Sequence, residues 1–402
     1  MKHSPDQATK LGSSETSTFS LALGGPLYQI YRRAHLSGEG LELLARRMIV
    51  IPLFTWLPLA ILSILEGRAF GSAVRIPFLF DVEAYVRLLV ALPVLIGAEL
   101  VVHRRIGPAV QKFLTRHIVI DEDMPKFDRA IHSALRIRNS PAAEGTLFFL
   151  VYTVGLWIWR NQISLAEETW YATPHFPHST LTLAGHWYRL VSIPIFQFIL
   201  IRWYLRLAIW FRLLWQISRL NLQLTAAHPD RSGGIGFLGL CSYAFGPVLF
   251  AQGALLSGVI ASRILFEGRS LPSFKLECAG LIVFLVMFIL GPLLMFTPKL
   301  ELARRQGFAD YGRLASQYVF GFERKWILEG EPDIADLMGA ADIQSLADLG
   351  NSYGVVDDMR LTPFGWKDVV RLAAVTAAPL IPLSLTMFSL DELVTSLFKM
   401  AF

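Results

Sequence analysis

WYRLVSIPIFQFILIRWYLRLAIWFRLLWQISRLNLQLTAAHPDRSGGIGFLG, residues 187–239, decides the fold. Its first third is apolar enough to cross a bilayer. Its middle third stays apolar and rich in tryptophan but gains Arg202, Arg206, Arg212 and Arg219. A helix from Trp187 to Leu220 would run about 50 Å at 1.5 Å per residue, beyond the ~30 Å of a hydrocarbon core. Its second half must therefore leave the lipid or be shielded by other helices. Arg202 and Arg206 share one face, and Arg212 and Arg219 a neighbouring one, which is not the every-third-residue ladder of a voltage sensor. Trp203, Tyr204, Trp210 and Trp215 suit the headgroup level. The arginines suit either lipid phosphates or the lining of an anion path.

Composition points the same way. The 402 residues are 53% hydrophobic and 17% charged, with a mean hydropathy of +0.47. A soluble domain carries about 25% charged residues, so the bilayer is the expected solvent. The net charge of +5 is explained by Lys and Arg held on the cytoplasmic side of a membrane and does not call for nucleic acid. Cys241 and Cys278 fall in apolar segments and read as buried small hydrophobes. Residues 1–22 are polar and read as a mobile tail without a cleaved leader.

Apolar runs near 20 residues predict seven crossings: Met48–Leu65, Val86–Val102, Ser140–Trp159, Leu190–Trp210, Tyr243–Ile264, Ala279–Phe296 and Val369–Phe388. Ser140 can cap the third and Pro141 fits its first position. With the N-terminus inside, 27 of the 37 Lys and Arg residues fall on the inner side, the bias expected of cytoplasmic loops. The inner segments are also the substantial ones. Residues 103–139 read as a basic amphipathic helical hairpin, 220–242 as a turn, and 298–364 as a helical segment. That last segment is basic in its first half and acidic over Leu328–Asp358. Opposite charge in consecutive segments predicts that they fold back on each other or on the basic hairpin, or else remain separate solvated faces. After the last crossing, Ser389-Leu390-Asp391-Glu392 reads as a capping box opening a short amphipathic helix. Six of the seven spans contain proline beyond the first helical position, which kinks helices and frees backbone groups. Membranes tolerate this only against protein or a wet cavity.

The turn His228-Pro229-Asp230-Arg231-Ser232-Gly233-Gly234 closes the long helix. Gly234-Ile235-Gly236-Phe237-Leu238-Gly239 matches GxGxxG, but a membrane helix stands where a dinucleotide fold needs a strand. His228-Pro229-Asp230 also matches the J-domain loop, which follows a soluble helix rather than a tryptophan-packed one. Two readings remain: a structural turn capped by Asp230, with glycines allowing close approach, or an anion site of exposed amides with Arg231 and His228. This string is similar to one in a group of uncharacterised multi-pass bacterial membrane proteins. The runs Ile343–Ser352 and Met359-Arg360-Leu361-Thr362-Pro363-Phe364 share the likeness, which covers roughly the C-terminal half. The resemblance implies a bacterial inner membrane and carries over no catalytic residue.

Glu99 is an intramembrane acid and a functional candidate on that ground; an interfacial ion pair with Arg104 or Arg105 is the alternative. Gln197 and Gln252 could cross-link helices or line a pore. His175, His178 and His186, with Glu167 and Glu168 nearby, lack a complete metal shell and read as ordinary loop residues. No paired HxxxH box, acidic lipid-enzyme pattern, GxSxG or P-loop occurs.

The expectation is an all-α polytopic integral membrane protein with about seven transmembrane helices and a cytoplasmic helical layer. The leading function is channel- or transporter-like, handling an ion or a small anionic solute through Arg202, Arg206, His228, Asp230, Arg231, Gly233, Gly234 and Glu99. The first alternative is a membrane-interface enzyme on a lipid-linked or phosphorylated substrate, with His228 as base and Asp230 orienting it. The second is a scaffold working through 298–364. No catalytic residue, cofactor or metal is assigned. The expected partners are membrane lipids and, as an open alternative, a second copy of the chain, but not nucleic acid.

Overall fold

The computed structural model describes residues 19–26, 29, 43–71, 74–158, 168–173, 180–328 and 340–387. The fold is all-α and polytopic. Nine helices carry the argument: α1 (Leu44–Leu65), α2 (Val82–Thr115), α3 (Met124–Arg138), α4 (Pro141–Ile158), α5 (Leu183–Ser218), α6 (Phe237–Glu267), α7 (Leu271–Leu328), α8 (Ala341–Asp357) and α9 (Trp366–Thr386). All but α3 and α8 are long and apolar enough to cross a membrane, seven among the described residues. Each covers most of a run expected from sequence, and α2, α5 and α7 continue well past the hydrocarbon length.

The long central helix forms as its composition requires. α5 has 36 residues, roughly 54 Å, and its second half is shielded by protein. Leu207, Trp210, Leu213, Leu214 and Ile217 are buried, and α3 packs along this half, where Arg212 Nη2 donates to Ser133 Oγ at 3.3 Å. Two of the four expected headgroup aromatics are instead core: Trp203 and Trp210 are 1% and 4% exposed. Trp203 Nε1 donates to Leu95 O at 2.8 Å, so the indole N–H is satisfied inside the bundle rather than by lipid headgroups. Tyr204 and Trp215 do stay accessible.

Local irregularities fall where helices meet. π-helical turns occupy 86–91 in α2, 151–155 in α4 and 188–192 in α5. Such turns leave backbone groups without an ordinary helical partner. At the end of one of them, Ser192 Oγ donates to Thr55 O of α1, the helix that contains Pro52 and Pro58, at 2.7 Å. In α6, a Cβ on Gly253 would collide with the Thr376 carbonyl of α9, so that crossing requires glycine. At one end, a two-stranded antiparallel hairpin, β1 (Ala172–Thr173) and β2 (Thr180–Leu181), covers an aromatic cluster. There Trp170 is fully buried and donates Nε1–H to Asp81 Oδ2 at 2.8 Å. Phe78, Tyr171 and Tyr188 surround it.

At the other end, α3, α8 and the extensions of α2, α5 and α7 form the helical layer. Val119 and Leu222 bridge antiparallel, and Gln223 N donates to Ile118 O at 2.7 Å, tying the turn after α2 to the turn after α5. The basic and acidic parts of 298–364 do fold back on each other, as charge pattern suggested. Lys325 Nζ lies 2.6 Å from Asp342 Oδ2, and Arg304 Nη2 donates to Asp357 O at 2.9 Å. The acidic residues at 329–339 and the C-terminal helix expected after Ser389 lie outside the described residues, as do residues 1–18 of the expected mobile tail. Residues 19–22 of that tail are instead buried in the bundle.

Candidate functional site

The sequence-nominated residues separate into two places. Glu99, Arg202 and Arg206 meet inside the bundle. His228, Asp230, Arg231, Gly233 and Gly234 form a turn in the helical layer.

The first place is a charge cluster. Arg47 and Glu144 stand in the first turns of α1 and α4, helices that leave this end of the bundle. Glu99 and Arg202 lie past the midpoints of α2 and α5, helices that approach it. Alternating helix direction therefore brings all four to one depth. Arg47 Nη1 lies 2.9 Å from Glu99 Oε2. Arg206 Nη2 and Arg202 Nη1 lie 2.8 and 3.4 Å from Glu99 Oε1. Arg202 also grips Glu144 Oε1 through Nε at 3.1 Å and Nη2 at 2.9 Å. Exposure runs from 0% at Arg47 to 8% at Glu144. An unpaired carboxylate here would carry a large desolvation cost, and the arginines offset it. Arg206 also stacks on Trp203 at 4.7 Å. The expected ion pair of Glu99 with Arg104 or Arg105 does not form. Its partners come from other helices, and the sequence reading overlooked Arg47.

A chain segment completes the cluster. Residues 19–25 run across it, and alternate carbonyls accept from three arginines. Ser20 O accepts from Arg138 Nη1, Ala22 O from Arg206 Nη2 at 3.1 Å, and Gly24 O from Arg202 Nη2 at 3.3 Å. The segment bends over residues 21–23, where Ser20 Oγ accepts from Ala22 N at 3.3 Å and Leu23 N at 3.0 Å. Ser20 Oγ and His103 Nδ1 are 2.9 Å apart. Gly24 and Gly25 have φ of +123° and +92°, values glycine adopts readily. Arg138 sits at the edge, half-buried. It meets carbonyl and Asn139 side-chain oxygens but no carboxylate among the described residues. Burial first, then Arg206 and Arg202 beside it, pushes its guanidinium down to about 10. A cavity of about 10 Å³ is enclosed by Arg47, Glu99, Arg202 and Arg206, room for no more than about one water.

Beside the cluster lies an apolar groove of about 560 Å³ between α1, α4 and α5. Val50, Phe54, Phe148, Tyr152, Ile195 and Phe198 form its walls. Pro26 and Glu144 line it as well. The turn Gly24-Gly25-Pro26 thus stands between groove and arginines: Gly24 O accepts from Arg202, a Cβ on Gly25 would reach Glu144 Oε1 at 2.9 Å, and Pro26 lines the groove.

The second place is a closed loop. Asp230 Oδ1 accepts from Ser232 N at 2.8 Å and Gly234 N at 3.1 Å, and Oδ2 accepts from Gly236 N at 2.9 Å. Burial pushes the Asp230 carboxyl up, but these three amides and His228 outweigh it and hold it below the usual carboxylate value. His228 Nδ1 is 2.9 Å from Asp230 Oδ1. The carboxylate that would orient a catalytic histidine is thus already engaged in closing its own loop. Arg231, Gly233 and Gly234 take positive φ. Arg360 N donates to Arg231 O at 2.7 Å, Arg360 Nη2 to Asp230 O at 2.8 Å, and Ser232 Oγ to Thr362 O at 3.3 Å. A Cβ on Gly239 would meet Pro363 O at 2.8 Å. The string 228–239 and the run 359–364 therefore pack on each other. This fits the structural reading of the turn, with the glycines placed by close approach.

The remaining candidates are dispersed. Gln252 Nε2 donates to Tyr204 OH at 2.8 Å, a cross-link between α6 and α5. Gln197 packs against Gly155 of α4. His186 Nδ1 lies 2.8 Å from Thr182 O and Glu168 is exposed, while His175, His178 and Glu167 lie outside the described residues. Cys241 is a buried thiol and Cys278 a partly buried one. Comparison with protein-family models, curated proteins and solved structures finds no match. The function must be argued from the site, in a protein whose seven apolar helices make it a multi-pass membrane protein.

Proposed function

We propose that this is a transporter-like protein that recognises an anion at the arginine cluster, with Arg202, Arg206, Arg47 and Arg138 as its donors. The observation that carries this reading is the row of backbone carbonyls, Ser20, Ala22 and Gly24, set against three guanidinium groups. Carbonyl oxygens are the partial negative charges that phosphate or carboxylate oxygens would replace, and arginine forks bind such anions with two donors at once. Residues 19–25 hold the site shut, and the positive-φ pair Gly24-Gly25 is a natural hinge for opening it. The inner distribution of Lys and Arg supports a cytoplasmic N-terminus and a cytoplasmic mouth for the cluster. The likeness of the 228–239 string supports a bacterial inner membrane.

Purified protein in liposomes, loaded in turn with chloride, phosphate and small carboxylates, should release at least one of them. Arg206→Ala should change the rate by about tenfold, the worth of one charge-assisted contact. Vesicles that stay tight to every anion would contradict the reading.

A further inference from the structure

The groove and the cluster share one wall. Glu144 lines the groove and is held by Arg202, while Pro26 lines the groove and directly follows the glycines that cover the arginines. The groove is apolar, lies between helices that cross the membrane, and carries large exposed side chains at Phe54, Phe148 and Tyr152. Its 560 Å³ falls within the roughly 300–1,000 Å³ of ligand pockets. It is walled by α1, α4 and α5, so hydrocarbon reaches it laterally, and the Gly24-Gly25-Pro26 turn stands between it and the guanidinium groups. The one charged residue lining the slot, Glu144, is neutralised by Arg202, and the guanidinium groups stand behind the Gly24-Gly25-Pro26 turn; with that turn displaced, the slot is complementary to one kind of molecule in a bilayer, an amphiphile with an anionic head.

We infer that the groove is a lateral binding site for an anionic phospholipid, with its acyl chain against Phe148, Ile195 and Phe198 and its phosphate taking the place of the Ser20 and Gly24 carbonyls on Arg138 and Arg202. This rests on the reading of the cluster as an anion site and names the class of anion. The segment 19–25 is then a competitor for the same donors. Lipid binding and segment release are one event, since Arg202 Nη2 serves either the Gly24 carbonyl or a phosphate oxygen. Arg138 is the first contact, being at the edge and holding no carboxylate.

Native mass spectrometry of the full chain in detergent, titrated with phosphatidylglycerol or with diacylglycerol of identical acyl chains, which lacks the phosphate, tests it. Phosphatidylglycerol should bind about tenfold more tightly, the value of a single charged contact. Gly145→Leu should abolish that preference, because a side chain at 145 meets nothing within 4 Å and projects into the groove, so it fills the slot without disturbing the fold. Arg138→Gln should weaken phosphatidylglycerol about tenfold and leave diacylglycerol unchanged. Equal binding of the two lipids, or a Gly145→Leu protein that keeps the preference, overturns the inference. If sn-glycerol 3-phosphate still protects the protein in that case, the anion reading of the cluster stands without the lipid. If neither lipid nor the free headgroup anion is retained, both fall.

Discussion

Glu99 Oε1 and Arg206 Nη2 are 2.8 Å apart, joining α2 to α5 inside the bundle. Neither charge has water enough around it to stand alone, and Arg47 and Arg202 share the same carboxylate. Removing one member of such a group costs far more than a surface ion pair, because the others are left buried without it. Glu99→Gln should lower unfolding free energy by about 3–5 kcal/mol. Arg104→Ala, one turn further along and exposed, should change it by no more than about 0.5 kcal/mol. Chemical denaturation in detergent micelles measures both, and equal effects would mean that the cluster contributes nothing beyond a surface charge.

The Asp230 loop sets a dependence on acid. Its carboxyl is held below its ordinary value of 3.8 in the folded protein. The folded state therefore binds fewer protons than the unfolded one, and the contribution is present above that value and fades as pH falls through the lower folded one. Asp230→Asn should cost about 1–3 kcal/mol at neutral pH, through weakened bonds to the amides of Ser232, Gly234 and Gly236. The gap between variant and parent should then narrow below about pH 4. Melting curves from pH 7 to 3 decide this. A gap that widens in acid would assign the loop's stability to another group.

Gly253 fixes how closely α6 approaches α9. Gly253→Ala should destabilise by about 1–3 kcal/mol as the helices are pushed apart. Gly280→Ala, at a membrane-helix glycine with nothing within 4 Å, should be neutral or slightly stabilising. Thermal denaturation of the pair checks the contact, and matched melting temperatures would refute it.

Orientation is open to labelling. With Cys241 and Cys278 replaced by alanine, Gln317→Cys in α7 should react with a membrane-impermeant maleimide only after cells are permeabilised. Thr180→Cys, in the hairpin at the opposite end, should react in intact cells. The reverse pattern would place the arginine cluster on the outer side.

Much of this was legible in residue order, for a physical reason. Crossing hydrocarbon takes about 20 apolar residues, and that demand is local, so all seven helices and the length of α5 could be read directly. The pairing of Arg202 with Arg206 on one face followed from helical period. What joins them did not. Arg47, Arg138 and Glu144 are spread over some hundred residues of sequence and meet through helix packing. Nothing in the local sequence around Glu144 or Arg47 marks either as part of a cluster. The segment 19–25 was hidden by composition: Phe19-Ser20-Leu21-Ala22 is too short to register as an apolar element, though its side chains are buried. Trp203 and Trp210 were read as headgroup anchors because tryptophan favours both places, and only the fold distinguishes them. That Asp230 caps the turn at 228–239 followed from its residues as one of two readings, but the partner of that turn at 359–364 is a tertiary fact.

If residues 19–25 close an anion site, loosening them must open it. Gly25→Ala places a methyl group 2.9 Å from Glu144 Oε1 and 3.1 Å from Arg138 O, on backbone at φ +92°, and so strains the closed segment. The direct measurement is the initial rate of anion release from liposomes holding equal amounts of parent and Gly25→Ala protein. A severalfold faster release from the variant is predicted. An unchanged or slower rate, with the variant folded as the parent is, would contradict the idea that this segment guards the arginines.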